Sequence, residues 1–262
     1  MSGRDEPAVP AATVIVLRDK PAFEVLMIAR HEKSAFAGGA LVFPGGRVDP
    51  GDRDPRWKSH SVGLSSEETT AAAQVASIRE AFEEAGVLLA RDETGELVTG
   101  GRILAINQWR SRIEKKDQLF FELIQSEKLT LACDELCLFA HWVAPPGLHR
   151  RFDTLFFAAR FPAEQQVLED GEEATEALWI APNEALSARA RGERKIIFPT
   201  ACNLALLGQS STVEETFEFA RRRPIRPVTP EVFHRDGSPY LRIPEDLGYP
   251  LTQERLDFAR PD

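Results

Sequence analysis

Four charged residues crowd into the stretch REAFEEAG: Arg79, Glu80, Glu83 and Glu84. On a helix turning 100° per residue, the three glutamates fall within an arc of about 100°, opposite Ile78 and Phe82. One exposed helix face would then carry three carboxylates. Like charges at this spacing disfavour a helix by roughly 0.2–0.5 kcal/mol per pair, so the arrangement makes more sense with a cation between them. Hard oxygen ligands suit Mg²⁺ or Mn²⁺. Arg79, four residues before Glu83, can orient that carboxylate by an ion pair. A glutamate-rich face alone is usually solvated surface. What adds weight is Gly46 in LVFPGGRVDPGD. A glycine-rich turn leaving a strand lets backbone approach a metal or ligand closely, and the Gly46 carbonyl can join the carboxylates.

Such a cluster needs a helix and a strand-turn to hold it, and the flanking sequence supplies both. AATVIVLR (residues 11–18) and FEVLMIAR (23–30) are aliphatic runs separated by the turn-like DKPA, which predicts two paired strands, with GALVFP a third. From Glu67 to Ala90 the pattern changes. Ala71, Val75, Ile78, Phe82 and Ala85 recur at helical spacing, and Gly86 stands near the expected end. Residues 101–128 read as one or two amphipathic helices. LCLFAHWVAP, RFDTLFFAARF and EALWIAP read as strands, the last followed by a helix with Asn183 as its expected cap. After about residue 224 the chain is rich in proline and is expected to wrap the surface in extended form. The mixture points to one α/β sandwich.

The 262 residues are 43% hydrophobic and 28% charged, enough apolar material for a sizeable core. The net charge of −9 argues against a general binder of nucleic acid or anionic membrane, since neither polyanion is attracted without a basic patch. An anionic small molecule bridged by a cation remains compatible with it. Cys133, Cys137 and Cys202 form neither a disulfide framework nor a zinc site, and read as packing residues in a reducing cytoplasm. The apolar run Ala11–Leu17 is too short to span a bilayer. His141 alternates with apolar residues and reads as half-buried and satisfied.

REAFEEAGV, with Gly46 upstream, resembles the signature of the Nudix hydrolases: Gly, five residues, Glu, seven residues, then Arg-Glu, a bulky apolar residue, any residue, Glu-Glu, any residue, Gly and a bulky apolar residue. Gly46 and Arg79 are 33 positions apart rather than 14, which implies 19 inserted residues. Counting back from Arg79 puts Ala71 where the first glutamate belongs, so Glu67 or Glu68 is the candidate to replace it. Ala81 stands at the usual bulky position. The resemblance implies an α/β/α sandwich with a mixed sheet over residues 1–223, carrying a long insertion at 47–66, a helical insertion at about 101–128, and a packed extension at 224–262. It implies hydrolysis of a nucleoside diphosphate linked to another group, with Gly46, Glu80, Glu83 and Glu84 holding Mg²⁺ or Mn²⁺. Arg79, Glu83 and Glu84 would be catalytic, and Glu173 or Glu176, ahead of Trp179, would serve as base or extra ligand.

FPGGRVDPGD with its insertion, FAHWVAP, RRFDTLFFAARF, EALWIAPNEAL and IIFPT resemble the coenzyme A diphosphatase branch. Arg30, Gly39 and Asp49 match a coenzyme A signature of related enzymes, whereas Ser34, Ala35 and Ala37 replace its other positions. Arg30, Phe43, Gly45, Arg150 and Arg151 are the expected substrate-binding residues, the last two for a 3′-phosphate. Coenzyme A or an acyl derivative would give 3′,5′-ADP and an (acyl-)4′-phosphopantetheine. NADH or ADP-ribose hydrolysis, and a non-catalytic nucleotide sensor, are the competing readings; a homodimer is left open.

Overall fold

A computed structural model describes residues 7–31, 37–146, 151–162, 164–168 and 174–259. In β1 (Val9–Arg18), Val14 and Val16 face one way and Ile15 and Leu17 the other, and all four are fully buried. A strand covered on both sides has to be central. It is flanked by β2 (Glu24–Arg30) and, in parallel, by a later strand.

The chain order continues with β3 (Leu41–Val42), β4 (Gly45–Arg47), β5 (Ser61–Val62), α1 (Glu68–Ala85), β6 (Ala90–Arg91), α2 (Gly100–Ile106), α3 (Arg110–Ile113), α4 (Gln118–Ser126), β7 (Thr130–Ala132), β8 (Cys137–Val143), β9 (Phe152–Arg160) and β10 (Ala174–Ile180). Then come α5 (Pro182–Ala190), α6 (Phe198–Leu207), α7 (Val213–Arg222), β11 (Pro227–Val228), β12 (Glu231–Arg235), β13 (Ser238–Arg242), β14 (Gln253–Arg255) and α8 (Leu256–Ala259). The main sheet runs β10-β2-β1-β9-β8-β11, mixed in direction. Helix α1 and the α2–α4 segment cover the face of Val14, Val16 and Leu26. Helices α5–α7 cover the face of Ile15, Leu17 and Met27. Burying each such aliphatic side chain is worth about 1.5–3 kcal/mol, and the alternation along β1 and β2 fixes the register.

The break at Pro44 has a topological cause. β1 and β2 pair only at Leu17–Val25 and Arg18–Glu24; beyond that they separate, and the next segment wedges between them. β3 pairs with β2, the chain crosses at Phe43-Pro44, and β4 pairs with β1, with Val14 N–H donating to the Pro44 carbonyl at 2.9 Å. A Cβ on Gly45 would meet the Ala12 carbonyl oxygen at 2.5 Å, so the crossing demands glycine.

Several expectations need correction. Asn183 does not cap α5, which starts at Pro182 with Ala181 in the cap position and no side-chain cap bond; proline already fixes the first turn. Residues 101–128 form three short helices. The tail does not merely wrap the surface: β12–β13–β14 make a small antiparallel sheet, and Leu241, Ile243, Leu247 and Tyr249 enter the core, where the Trp142 indole N–H donates to the Tyr249 hydroxyl at 3.1 Å. Among the described residues no helix is long and apolar enough to cross a membrane.

Candidate active site

Helix α1 delivers the charged cluster and is capped at both ends. Glu67 accepts hydrogen bonds from the Thr69 and Thr70 amides (2.9 and 2.6 Å), and the Thr70 side chain together with those amides depresses its carboxyl to about 2. At the far end Gly86 takes φ 68°, and Val87 N–H reaches back to the Ala81 carbonyl at 3.1 Å; a side chain would strain this left-handed cap. Glu67 and Glu68 therefore lie at the wrong end of α1. At 1.5 Å per residue Glu68 is about 18 Å along the axis from Glu80, so neither replaces the missing glutamate.

The carboxylate face is not exposed. Strand β4 and a 3₁₀ turn (Pro50–Arg53) cover it, leaving Glu80 9% and Glu84 3% accessible. The Gly45 amide donates to Glu84 Oε2 at 2.8 Å, and a Cβ on Gly46 would lie 2.5 Å from Glu80 Oε1. Only glycine lets the backbone come this close. Arg79, 3% accessible, is the hub. Its Nη1 donates to Glu80 Oε1 and Glu83 Oε1 at 2.9 Å each, and its Nη2 to the Arg47 carbonyl at 3.0 Å. The rest of the guanidinium grips Asp52 through both oxygens, Nε to Oδ1 at 2.8 Å and Nη2 to Oδ2 at 2.9 Å. Asp52 was not singled out from sequence. The signal was there: it stands six residues after Gly46, where the signature counted forward puts its first glutamate. Counting back from Arg79 led to Ala71 instead, because the extra residues fall between.

Burial governs the electrostatics. It works against the Arg79 charge, yet Glu80, Asp52 and Glu83 hold that pKa above the ordinary arginine range. Burial pushes the Glu83 carboxyl up to about 8; Arg79 opposes the rise, and Glu80 and Asp52 add to it. Burial likewise lifts Asp52, with Arg79 pulling against it. Arg110 on α3 donates through Nε and Nη2 to the Glu83 carbonyl (3.0 and 2.8 Å), neutralising the carbonyl end of α1.

The donor set fits a hard cation in kind: carboxylates and a glycine carbonyl, all oxygen. In this arrangement Arg79 and the Gly45 amide hold the carboxylates, and among the described residues no three His, Cys, Asp or Glu side chains converge on one ion position. A cation would have to draw them together.

The other expected residues divide. Arg30, at the end of β2, brings Nη1 to 3.9 Å from Glu84 Oε1, so it borders the cluster. Phe43 does not: it is buried on the opposite face of the sheet, edge-on to Phe156 at 6.5 Å, because the β3–β4 crossing turns it into the core. Glu176 is also misplaced. Ala177 and Trp179 pack on the α1 side and Leu178 on the other, so alternation puts Glu176 with Leu178, away from α1. There Arg194 grips both its oxygens (2.6 and 3.0 Å) and lowers its pKa. Arg151 donates to the Ala144 carbonyl at 3.1 Å. Arg150 and Glu173 lie outside the described residues. His141 is half-buried with Nε2 2.5 Å from Asp153 Oδ1. Cys133 and Cys202 are buried thiols, and burial pushes Cys133 up to about 12.

The family model for the NUDT19 Nudix domain matches residues 65–207, more than half of the chain and all of α1. The chain belongs to this Nudix family. The acyl-coenzyme A diphosphatase NUDT19 of Xenopus laevis is 26% identical over 242 residues, covering 77% of this chain and 64% of that protein, so the chain spans less than two thirds of that relative's length. The human protein of the same name is 26% identical over 265 residues, 84% of this chain and 69% of that one. A crystal structure of a Nudix hydrolase from Alicyclobacillus acidocaldarius is 27% identical, with a TM-score of 0.70, covering 81% of this chain and 96% of that chain. The Nudix match begins at residue 65, so Gly46 and Asp52 enter the site through the fold and not through that alignment.

Proposed function

We propose that this Nudix chain is a divalent-metal-dependent pyrophosphohydrolase acting on coenzyme A or acyl-coenzyme A, releasing 3′,5′-ADP and (acyl-)4′-phosphopantetheine. The observation that carries the hydrolase reading is that Glu80 and Glu83 are held by a buried, charged Arg79 while Glu80 and Glu84 close on the Gly45-Gly46 turn beside them. A cluster confined to binding a nucleotide has no need of three crowded carboxylates. The substrate rests on the names of the Xenopus and human relatives and on Arg30 beside the cluster.

Glu80, Glu83, Glu84 and the Gly46 carbonyl are the residues that would hold Mg²⁺ or Mn²⁺. When bound, the cation supplies charge neutralisation for the diphosphate and readies water for in-line attack. Arg79 aims Glu80 and Glu83 at the site, and Asp52 fixes Arg79. The Gly45 amide sets the orientation of Glu84. Arg30 is placed to receive a phosphate oxygen of the substrate. Glu176, tied to Arg194 on the far face, has no part in this.

The test is a turnover screen with Mg²⁺ or Mn²⁺ across coenzyme A, acyl-coenzyme A, NADH, ADP-ribose and nucleoside triphosphates, with products identified by mass. Coenzyme A species as the best substrates support the proposal; preference for NADH or ADP-ribose reassigns the substrate, and nucleotide binding without turnover favours a sensor.

A further inference from the structure

The residue that fixes Arg79 sits in the short turn that leads into the insertion, and such a turn is a poor platform for a buried ion pair unless something grips it. Here both backbone groups of Gly51, the residue before Asp52, are held. The Gly51 amide donates to Asp117 Oδ2 at 2.6 Å, and the Trp57 indole N–H donates to the Gly51 carbonyl at 2.9 Å. Asp117 immediately precedes α4, so it belongs to the second insertion. The two insertions also share an aromatic cluster. Trp57 is buried with its ring 5.6 Å from Phe120 and 4.9 Å from Phe121, and the Arg56 guanidinium lies 3.9 Å over Phe121. The fit at Gly51 is tight: a Cβ there would sit 2.7 Å from Asp117 Oδ2.

We propose that Asp117 is a positioning residue for the hydrolytic site, holding Asp52 against Arg79 through the Gly51 amide, so that the two insertions act as one brace. The proposal rests on the hydrolase reading above. The chain of contacts is continuous: Asp117 to Gly51, Asp52 to Arg79, Arg79 to Glu80 and Glu83. None of it passes through the substrate. Loss of the Asp117 acceptor therefore affects the chemical step more than substrate binding, since it loosens the aim of the carboxylates.

The experiment compares wild type, Asp117→Ala, Asp117→Asn, Gly51→Ala and Asp52→Asn in the full chain. Hydrolysis of coenzyme A with Mn²⁺ gives kcat and KM, and the ¹⁵N-edited signal of the Arg79 Nε–H reports the ion pair without requiring turnover. In Asp117→Ala and Gly51→Ala we expect kcat to fall about tenfold or more with KM within about twofold. The Arg79 Nε–H should exchange faster in both, as in Asp52→Asn. Asp117→Asn keeps an acceptor oxygen for the Gly51 amide and should restore both readouts. In the Asp52→Asn background, Asp117→Ala should add little, because the two act in series. An Arg79 signal unchanged in Asp117→Ala overturns the proposal, as does a loss of activity that tracks thermal stability and is not rescued by Asn. If wild type proves inactive while the Arg79 signal follows the expected pattern, the hydrolase reading fails and the brace stands.

Discussion

Replacing Asp52 with alanine should cost the fold about 3 kcal/mol. The magnitude follows from what Arg79 would lose and keep. It donates two hydrogen bonds to Asp52, at 2.8 and 2.9 Å, and three others to Glu80, Glu83 and the Arg47 carbonyl. Charge-assisted bonds contribute roughly 1.5–3 kcal/mol each, so the pair lost is worth about 3–6 kcal/mol before relaxation. Asp49, 3.7 Å from Arg79 Nη2, can recover part of it. The upper half of that range is therefore not reached, while the buried guanidinium keeps the cost well above that of a surface pair. Urea unfolding of metal-free protein, read by far-ultraviolet circular dichroism, measures the difference at fixed m. A loss below about 1 kcal/mol would show that Arg79 does not depend on Asp52 and would refute the reasoning.

Glu83 makes the metal-free protein pH-sensitive in a definite direction. A carboxyl raised from its ordinary value of 4.5 to about 8 binds more proton when folded than when unfolded, so its contribution is fully present below 4.5 and lost as pH climbs through 8. The urea midpoint should fall from pH 6 to pH 8, and Glu83→Gln should flatten that fall; identical slopes would count against it. Glu67→Ala removes the cap of α1 and should cost about 1 kcal/mol with kcat unchanged, because the cap lies far from Glu80. Ala71→Glu should not raise turnover. Ala71 lies in the first turn of α1, about 13 Å along the axis from Glu80, and a gain in kcat or metal affinity would contradict that placement.

The strands β1 and β2 were legible because unbroken aliphatic runs of that length have little choice but the centre of a sheet. Helix α1 and its glutamates were legible from local spacing alone. Their burial was not: the three carboxylates occupy the polar side of α1, and only the return of the chain as β4 and the Pro50–Arg53 turn covers them. Asp52 is marked only by its place six residues after Gly46; its partner Arg79 lies 27 residues away across the insertion, so a count back from Arg79 passes it by. Phe43 and Glu176 failed on direction. The crossing at Pro44 turns Phe43 inward, and the register shift between Ala174 and Glu176 precedes a strand whose alternation puts Glu176 on the far face. Membership of β1, β2, β3, β8, β9 and β10 was readable from composition, whereas the glycine strand β4 and the tail strands were not, and which face a side chain takes depended on pairing that a single sequence does not carry.

The most direct test of the account is the hydrolysis of coenzyme A by purified wild type and Glu84→Gln in the presence of Mn²⁺, with products separated and weighed by mass spectrometry. The predicted result is 3′,5′-ADP and 4′-phosphopantetheine in equal amounts from wild type, and a loss of at least about a hundredfold in kcat from a variant that unfolds at the wild-type urea concentration. Undiminished turnover by folded Glu84→Gln, or no cleavage of any diphosphate substrate by wild type, would contradict it.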